Sequence, residues 1–553
     1  MVLREIGLLV LLCVVGCCVR VGATGSDHVY TEKEHIPLYA NKIGPYNNPR
    51  EKREDFGEVL NGDRLVDSQY ELSFRVDKPN EKLCKKKLTR EEVARLREAA
   101  LKEYYFQMYY DDLPLWAFIG KVEGENNVDR SNNKYFIYKH IHFDVAYNNN
   151  RVIEINTKME PDQMIDITDD KEVEIEFSYS VKWKETEITF DNRMERYARS
   201  SSLPQHLEVH WFSIINSCLT VLLLTGFLAS ILMRVLKNDF LKYSLELDEE
   251  STNDLEETGW KYIHGDVFRF PKHKALFCAI LGSGSQLLVL AMFIFLLALV
   301  GTFYPYNRGA LFSALVIIYA LTSGIAGYTS TSTYLQLEGN NWVRNVLLTG
   351  CLFIGPLFVT FCFLNTVAII YSATVALPFG TILVILLLWT LVTAPLLLLG
   401  GVVAKNRNKV FQVPCRTTKY PRDVPTLPWY RGIMPQMAMA GFLPFTAIYV
   451  ELYYIFESVW GHRIYTVYSI LFIVFIILII VTAFVTVATT YFQLAAEDHR
   501  WWWRSEMYGF LQSSFFFGYM ACICYGFFLM LGTVGFGASL LFVRHMYSSI
   551  KCE

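Results

Sequence analysis

Two regimes of hydrophobic patterning meet near Trp211. Before it, apolar residues alternate with polar ones or recur at helical spacing; after it, they run on for the thickness of a bilayer. Eight such runs fall at 211–233, 275–303, 310–335, 343–371, 373–403, 433–457, 465–492 and 508–543. A hydrocarbon core about 30 Å thick is crossed by about 20 helical residues rising about 1.5 Å each, so every run holds enough to span. A buried soluble helix would account for one such run, but not for eight in succession. The expected architecture is an α-helical transmembrane bundle of eight apolar spans, with the bundle proper over 275–543, behind an N-terminal domain of soluble type.

That domain, residues 24–210, reads as α+β. Thr89-Arg90-Glu91-Glu92 is a capping box, opening a helix to about Tyr105 with Val93, Leu96, Ala100 and Leu101 on one face. Period-two alternation follows through Tyr135, Ile137, Ile141 and Phe143 to a turn at Asn148-Asn149-Asn150. It resumes at Val152 and again from Val173 to Val181. A β-sandwich-like fold with one or two helices is expected. Ahead of it, Arg4, the short apolar run Ile6 to Val19 and the small residues Val21-Gly22-Ala23 form a signal-peptide pattern over 1–23.

Loop charge orients the bundle. The stretch 234–274 carries Lys237, Lys242, Lys261, Arg269, Lys272 and Lys274 after Arg234. A later loop carries Lys405, Arg407, Lys409, Arg416, Lys419, Arg422 and Arg431. Loops on the other side hold little beyond Arg308 and Arg463. Basic loops stay cytoplasmic, which makes residues 24–210 lumenal, in agreement with the signal peptide. Composition adds that 52 % of residues are hydrophobic and 19 % charged, and a net charge of −3 gives no reason to expect nucleic acid. The lumenal region keeps one cysteine, Cys84, an odd thiol for an oxidising compartment.

Few residues carry candidate chemistry. Glu451 is the one acid deep within an apolar run, at a cost of about 2.5 kcal/mol or more on insertion scales. It either faces the bundle interior as a functional group or bonds a neighbouring helix or the hydroxyls of Tyr453 and Tyr454. Gln286, Asn365 and the run Thr329 to Thr333 read as helix-to-helix hydrogen-bonding points. Pro356, Pro378, Pro395 and Pro444 fall inside spans, where they kink helices and free carbonyls. His140 and His142 share a strand face at a chelating spacing, but no third ligand is identifiable; a surface pair is expected, with no metal and no cofactor. Glu246 to Glu257 reads as a solvated acidic linker. The stretch after it, through His264-Gly265-Asp266-Val267-Phe268-Arg269, sets Trp260 and Phe268 among charges as interfacial anchors. No nucleophile elbow, zinc-protease, Walker or dinucleotide motif occurs in a suitable context, so no enzymatic activity is expected. The tail, 544–553, ends in Lys551-Cys552-Glu553, a basic residue two before a terminal acid.

Several motifs in order then point to one family: Tyr39-Ala40-Asn41-Lys42, Gly57-Glu58-Val59-Leu60-Asn61-Gly62-Asp63, Tyr109-Tyr110-Asp111-Asp112-Leu113-Pro114, Ser201-Ser202-Leu203-Pro204, the His264 to Arg269 motif, and Tyr491-Phe492-Gln493-Leu494 through Glu497-Asp498-His499 to Trp501-Trp502-Trp503. Over nearly its whole length the chain resembles the nonaspanins, the transmembrane nine superfamily, particularly plant members. The resemblance implies a Golgi and endosomal protein that binds and sorts other membrane proteins, with links to adhesion and metal homeostasis, retained by coatomer through Lys551 and Glu553. Its partners would be client transmembrane proteins, coatomer and the bilayer. Two departures stand out. Arg50 to Phe56 replace an aromatic stretch ending in Leu-Pro-Phe-Cys, which removes a partner for Cys84; and after Ser505 the chain goes straight to Glu506-Met507-Tyr508, where the family has a further apolar helix. Nine spans become eight, and alternation from a lumenal N-terminus then puts the tail in the lumen, out of reach of a coat. A hairpin about Gly532, Gly535 and Gly537 is the strained escape. The expected function is a sorting receptor with Glu451, Tyr454, Gln286 and Asn365 as internal contacts. The alternative is a transporter or channel lined by Glu451 and the proline-kinked spans. An intramembrane enzyme is disfavoured by the lack of paired acids or a nucleophile within the spans.

Overall fold

The computed structural model describes residues 28–41, 56–62, 64–123, 134–160, 163–169, 171–193, 211–248, 259–303, 309–370, 376–407, 411, 413–425, 468–503 and 521–548, with isolated positions between 428 and 441. The signal segment, the acidic stretch from Glu249, Pro444, Glu451, Tyr454, Lys551 and Glu553 lie outside the described residues.

The N-terminal domain is strand-rich. Its elements are β1 (His35–Asn41), α1 (Phe56–Leu60), β2 (Leu65–Ser73), β3 (Lys78–Leu88), α2 (Arg90–Leu101), β4 (Tyr105–Tyr110), β5 (Leu113–Phe118), β6 (Gly120–Glu123), β7 (Lys134–Tyr138), β8 (His140–Asn148), β9 (Arg151–Met159), β10 (Met164–Asp166) and β11 (Val173–Glu185). Two four-stranded sheets, β2-β1-β4-β5 and β3-β11-β8-β9, close on one core. Alternation supplies Leu38, Leu72 and Met108 from the first and Phe143, Val145 and Val181 from the second, as a sandwich requires. The third sheet, β10-β7-β6, lies beside α2, where Val93 joins Ile137 and Ile175.

The capping box forms: Thr89 Oγ accepts from the Glu92 amide, and Glu92 accepts from the Thr89 amide at 3.0 Å. The helix nonetheless ends at Leu101 rather than near Tyr105, because Glu103 turns to φ 52° and Tyr105 pairs with Phe118 across β4 and β5. Asn149, at φ 52°, makes the β8–β9 turn where the asparagine run predicts one. Cys84 is a free, exposed thiol on β3. At one end of the sandwich Arg193 donates to Asp111 at 2.7 Å with both side chains buried. His28 Nδ1 lies 2.7 Å from the same carboxylate, which also accepts from the Tyr30 hydroxyl. Asp111 therefore ties the first described residues of the domain to its last.

Seven described helical segments are long and apolar enough to cross a membrane. They are α3 (Trp211–Asp248), α4 (Lys274–Leu299), α5 (Ala310–Gln336), α6 (Trp342–Ile370), α7 (Phe379–Leu388) continued through a π-turn at Trp389–Thr393 into α8 (Ala394–Asn406), α9 (Tyr468–Ala495) and α10 (Ala521–Ser548). Outward side chains such as Leu223, Phe227 and Ile370 are about two-thirds exposed or more, a surface that only lipid solvates. The chain is a multispanning membrane protein. Some boundaries differ from the sequence expectation. Helix α3 continues past 233 to Asp248, so its charged last turns are helix rather than loop. Pro378 takes the N-cap position of α7 instead of kinking a span, whereas Pro395 lies inside the α7–α8 span directly after its π-turn and Pro356 lies inside α6.

Pair contacts fix helix directions. Between α9 and α10, Thr490 meets Ser539 and Thr486 meets Gly535, a constant offset that makes them parallel. Between α4 and α10, Gly284 meets Leu529 and Phe277 meets Phe536, so those two are antiparallel. A Cβ on Gly284 would fall 2.0 Å from the Leu529 carbonyl oxygen; the approach is possible only without one. Helix α10 runs unbroken through Gly532, Gly535 and Gly537, which removes the hairpin. Its Tyr547 hydroxyl donates 2.6 Å to the Trp260 carbonyl, so it ends on the face of the basic loops. The tail thus follows a helix that emerges beside loop 259–273, contrary to the count of alternating spans. The N-terminal domain sits at the opposite face. There Gly57 of α1 crosses Gly309 at the start of α5 so closely that a Cβ on Gly57 would lie 2.0 Å from the Gly309 carbonyl, and Arg64 donates 2.7 Å to the Ala376 carbonyl.

Candidate functional site

Two regions gather the residues singled out by sequence. The first is the bundle interior. Gln286 on α4 is buried and donates 2.8 Å to the Tyr319 carbonyl on α5. Around it Ser285 bonds Thr329 at 2.8 Å, Ser330 bonds Thr349 at 2.7 Å, and Asn345 donates to Ser330 at 2.7 Å. Within the Thr329–Thr333 run, Thr329 and Ser330 therefore make helix-to-helix bonds, while Thr333 bonds carbonyls of its own helix. Asn345, Thr349 and Ser283 belong to the same network, though nothing in the sequence separates them from ordinary span residues. Two oxygens here, Asn345 Oδ1 and Thr331 Oγ1, are buried with no partner among the described residues. Asn365 stands apart: its Oδ1 accepts from the Leu377 amide at 2.8 Å, holding the turn into α7.

The second region is a cap on the basic-loop face. Asp266 is 1 % exposed, and its Oδ1 accepts from Arg269 at 2.6 and 3.1 Å and from Thr418 Oγ at 2.9 Å. The Arg422 amide donates to its Oδ2 at 3.3 Å. Burial opposes its charge, but the bonds from Arg269, Thr418 and Arg422 outweigh it and hold the carboxyl below its ordinary range. His264 folds back on the Lys261 carbonyl at 3.0 Å. Gly265 leaves room for Thr418, whose methyl a Cβ would meet at 2.5 Å. The Val267 carbonyl accepts from two indoles, Trp501 at 2.9 Å and Trp502 at 3.3 Å, and Trp503 donates to Lys272 at 2.8 Å. Trp260 and Phe268 are buried against Tyr547 at ring separations of 5.6 and 6.0 Å. They are the core of the cap rather than headgroup anchors, because the end of α10 covers them. His499 stands half-buried beside this cluster, its pKa lowered by burial against the pull of Asp266 and Asp498. Thr418, Arg422 and the three tryptophans have no local signal linking them to Asp266; they meet it only after the helices assemble.

His140 and His142 are not a surface pair. His140 is buried, its Nδ1 2.8 Å from Ser178 and its Nε2 2.9 Å from Ser180, while His142 Nδ1 lies 2.6 Å from the same Ser180 hydroxyl. The parallel pairing of β8 with β11 brings these serines alongside. Both rings are engaged by hydroxyls, and among the described residues no cluster suited to a metal occurs.

Fold and sites together define a multispanning membrane protein with a strand-rich domain docked on one face and a hydrogen-bonded, aromatic cap on the other. The chain belongs to the Endomembrane protein 70 family, which matches residues 38–536, and its curated relatives carry the transmembrane 9 superfamily name. Transmembrane 9 superfamily member 3 of Arabidopsis thaliana is 66 % identical over 96 % of each chain. "Putative phagocytic receptor 1b" of Dictyostelium discoideum is 41 % identical over 99 % of this chain and all of that one, and Transmembrane 9 superfamily member 1 of Bos taurus 40 % over 96 % and 95 %. The match to the first is 573 positions long, more than the 553 residues here, as expected if this chain lacks internal stretches. No solved structure matches the chain.

Proposed function

We propose that this protein is a Golgi and endosomal receptor that binds other membrane proteins and sorts or retains them, with its N-terminal domain lumenal and its tail cytosolic. The observation that carries the reading is the bonded interior among the described residues. There the polar groups of α4, α5 and α6 are largely spent on one another, and the tryptophan cap packs over the basic-loop end, which suits a scaffold for client helices better than a solute path. Positive loops support a cytosolic cap face. The end of α10 beside Trp260 supports a tail on that same side, where a coat would read Lys551 and Glu553.

A protease-protection assay on a tag placed after Glu553 tests the topology: cleavage in sealed vesicles from the cytosolic side is expected, and protection refutes it. Client capture by purified protein, with no ion or solute flux in liposomes, is the expected result for sorting. Flux abolished by Glu451→Gln would overturn that reading in favour of transport.

A further inference from the structure

The loop between α8 and α9 is built as a ledge. Cys415 is buried in the cap, the Thr418 amide donates 2.8 Å to the Gly265 carbonyl, and Arg422 donates 2.5 Å to the Tyr262 carbonyl while its guanidinium lies 3.8 Å over the Tyr262 ring. These three pins leave Arg416 and Lys419 pointing into solvent, with no carboxylate partner among the described residues. Tyr420 beside them is 79 % exposed, and Trp429 of the same loop is 83 % exposed. Between Lys405 and Arg431 the seven basic residues face a single acid, Asp423. The ledge springs from a membrane-crossing helix whose last turn sets Lys405 5.4 Å over the Trp342 ring, an aromatic–cation contact typical of the headgroup level.

We propose that this ledge binds the phosphate headgroups of anionic phospholipids in the adjoining leaflet, with Arg416 and Lys419 contacting phosphate and Tyr420 lying among the headgroups. Pinned backbone, unpaired cations and exposed aromatics on a membrane-proximal loop are the features such a surface needs. Held in place before the lipid arrives, the loop backbone that carries the two cations loses little further freedom on binding.

The test uses the full-length protein in detergent, titrated with dioctanoyl phosphatidylserine and followed by native mass spectrometry. Dioctanoyl phosphatidylcholine and inorganic phosphate serve as comparisons. Serine phospholipid should bind well above the choline lipid, and Arg416→Gln/Lys419→Gln should weaken it about 25-fold, about five-fold for each charge, equivalent to about 1 kcal/mol apiece. Lys121→Gln/Lys171→Gln, on the N-terminal domain, should leave it unchanged. Equal binding by the double ledge variant, or equal binding of the two lipids, overturns the proposal. Displacement by millimolar inorganic phosphate overturns the lipid assignment in favour of a free anion. If the ledge variant misfolds, native protein decides: binding must fall as salt rises from 50 to 500 mM, and salt-independent binding refutes the ledge.

Discussion

Asp266→Ala isolates the bond set that holds the cap together. The native carboxylate is buried and takes two bonds from Arg269, one from Thr418 and one from the Arg422 amide. Breaking a fully buried ion pair from one side costs about 3–5 kcal/mol. Arg269, however, is 30 % exposed and keeps a 2.9 Å bond to the Thr418 carbonyl, so water and that carbonyl recover part of the loss. A local cost of about 2–3 kcal/mol remains. It should fall on the contact between loops 259–273 and 413–425 rather than on the bundle, whose helices meet through other residues. Hydrogen exchange on full-length protein reads this directly, because the Thr418 amide is bonded to Gly265 and the Arg422 amide to Asp266 itself. Exchange in peptides covering 413–425 should rise roughly 30- to 150-fold while the centre of α4 stays protected. The pH dependence has a definite sign. A carboxyl held below its unfolded value of about 3.9 contributes stability that is present above that value and lost as pH falls through the folded one. The share of cap protection owed to Asp266 should therefore be flat from about pH 5 to 8 apart from the intrinsic exchange rate, while His499, its pKa lowered by burial, adds a decline below about pH 6.5 in native and variant alike. Unchanged exchange in the variant would refute the claim that Asp266 joins the loops.

The remaining predictions concern the other joints. Gly57→Val should undock the N-terminal domain, since even a Cβ meets the Gly309 backbone; crosslinking between the domain and the residues around Ala376 should be lost while the domain's own melting is kept, and retained crosslinking would contradict the docking. A double-mutant cycle of Ser330→Ala with Thr349→Val should give a coupling of about 0.6 kcal/mol, the usual scale for hydrogen bonds between membrane helices; a value indistinguishable from zero would remove this pair from the network. Burial, foremost, lowers the pKa of His140, against Glu160 and with His142 and Lys139 adding minor effects. The unfolded chain then binds protons more readily, so protection of β8 and β11 should be full above about pH 6.5 and decline below it, and His140→Gln should flatten that decline; an equal slope in both proteins would assign it to another group.

The oiliness of the spans is a property each segment carries alone, which is why the positions of the described ones were legible and most of their boundaries agree within a few residues, the run 433–457 lying almost wholly outside the described residues. Local chemistry was equally readable: the Thr89–Glu92 box and the Asn149 turn need only neighbours a few residues away. Asp266 is different. Its partners Thr418 and Arg422 lie in a loop that meets loop 259–273 only because the bundle brings their ends to one face. A motif with Trp and Phe among charges is compatible with headgroups or with a second shell of protein, and only Tyr547 and Trp501–Trp503 decide between them. The histidine pair failed for a similar reason, since alternation gives a shared face but not the serines that a parallel neighbour presents there.

The tail shows where counting spans misleads. Alternation assumes that each apolar run crosses once and that the run at 508–543 is a single span beginning where the basic cap ends. Packing instead fixes the polarity of α10 from its contacts: residues 486 and 490 of α9 lie level with 535 and 539, so the two helices rise together and finish on one face. Trp503 is already at that face through its bond to Lys272, and Ser548 returns to it. Helix α10 therefore begins, at Ala521, towards the domain face. Contacts that pair a helix with neighbours of known direction outrank a parity argument, because a miscounted span reverses the parity whereas the side chains of Thr486, Thr490 and Ser539 can meet their partners in only one orientation.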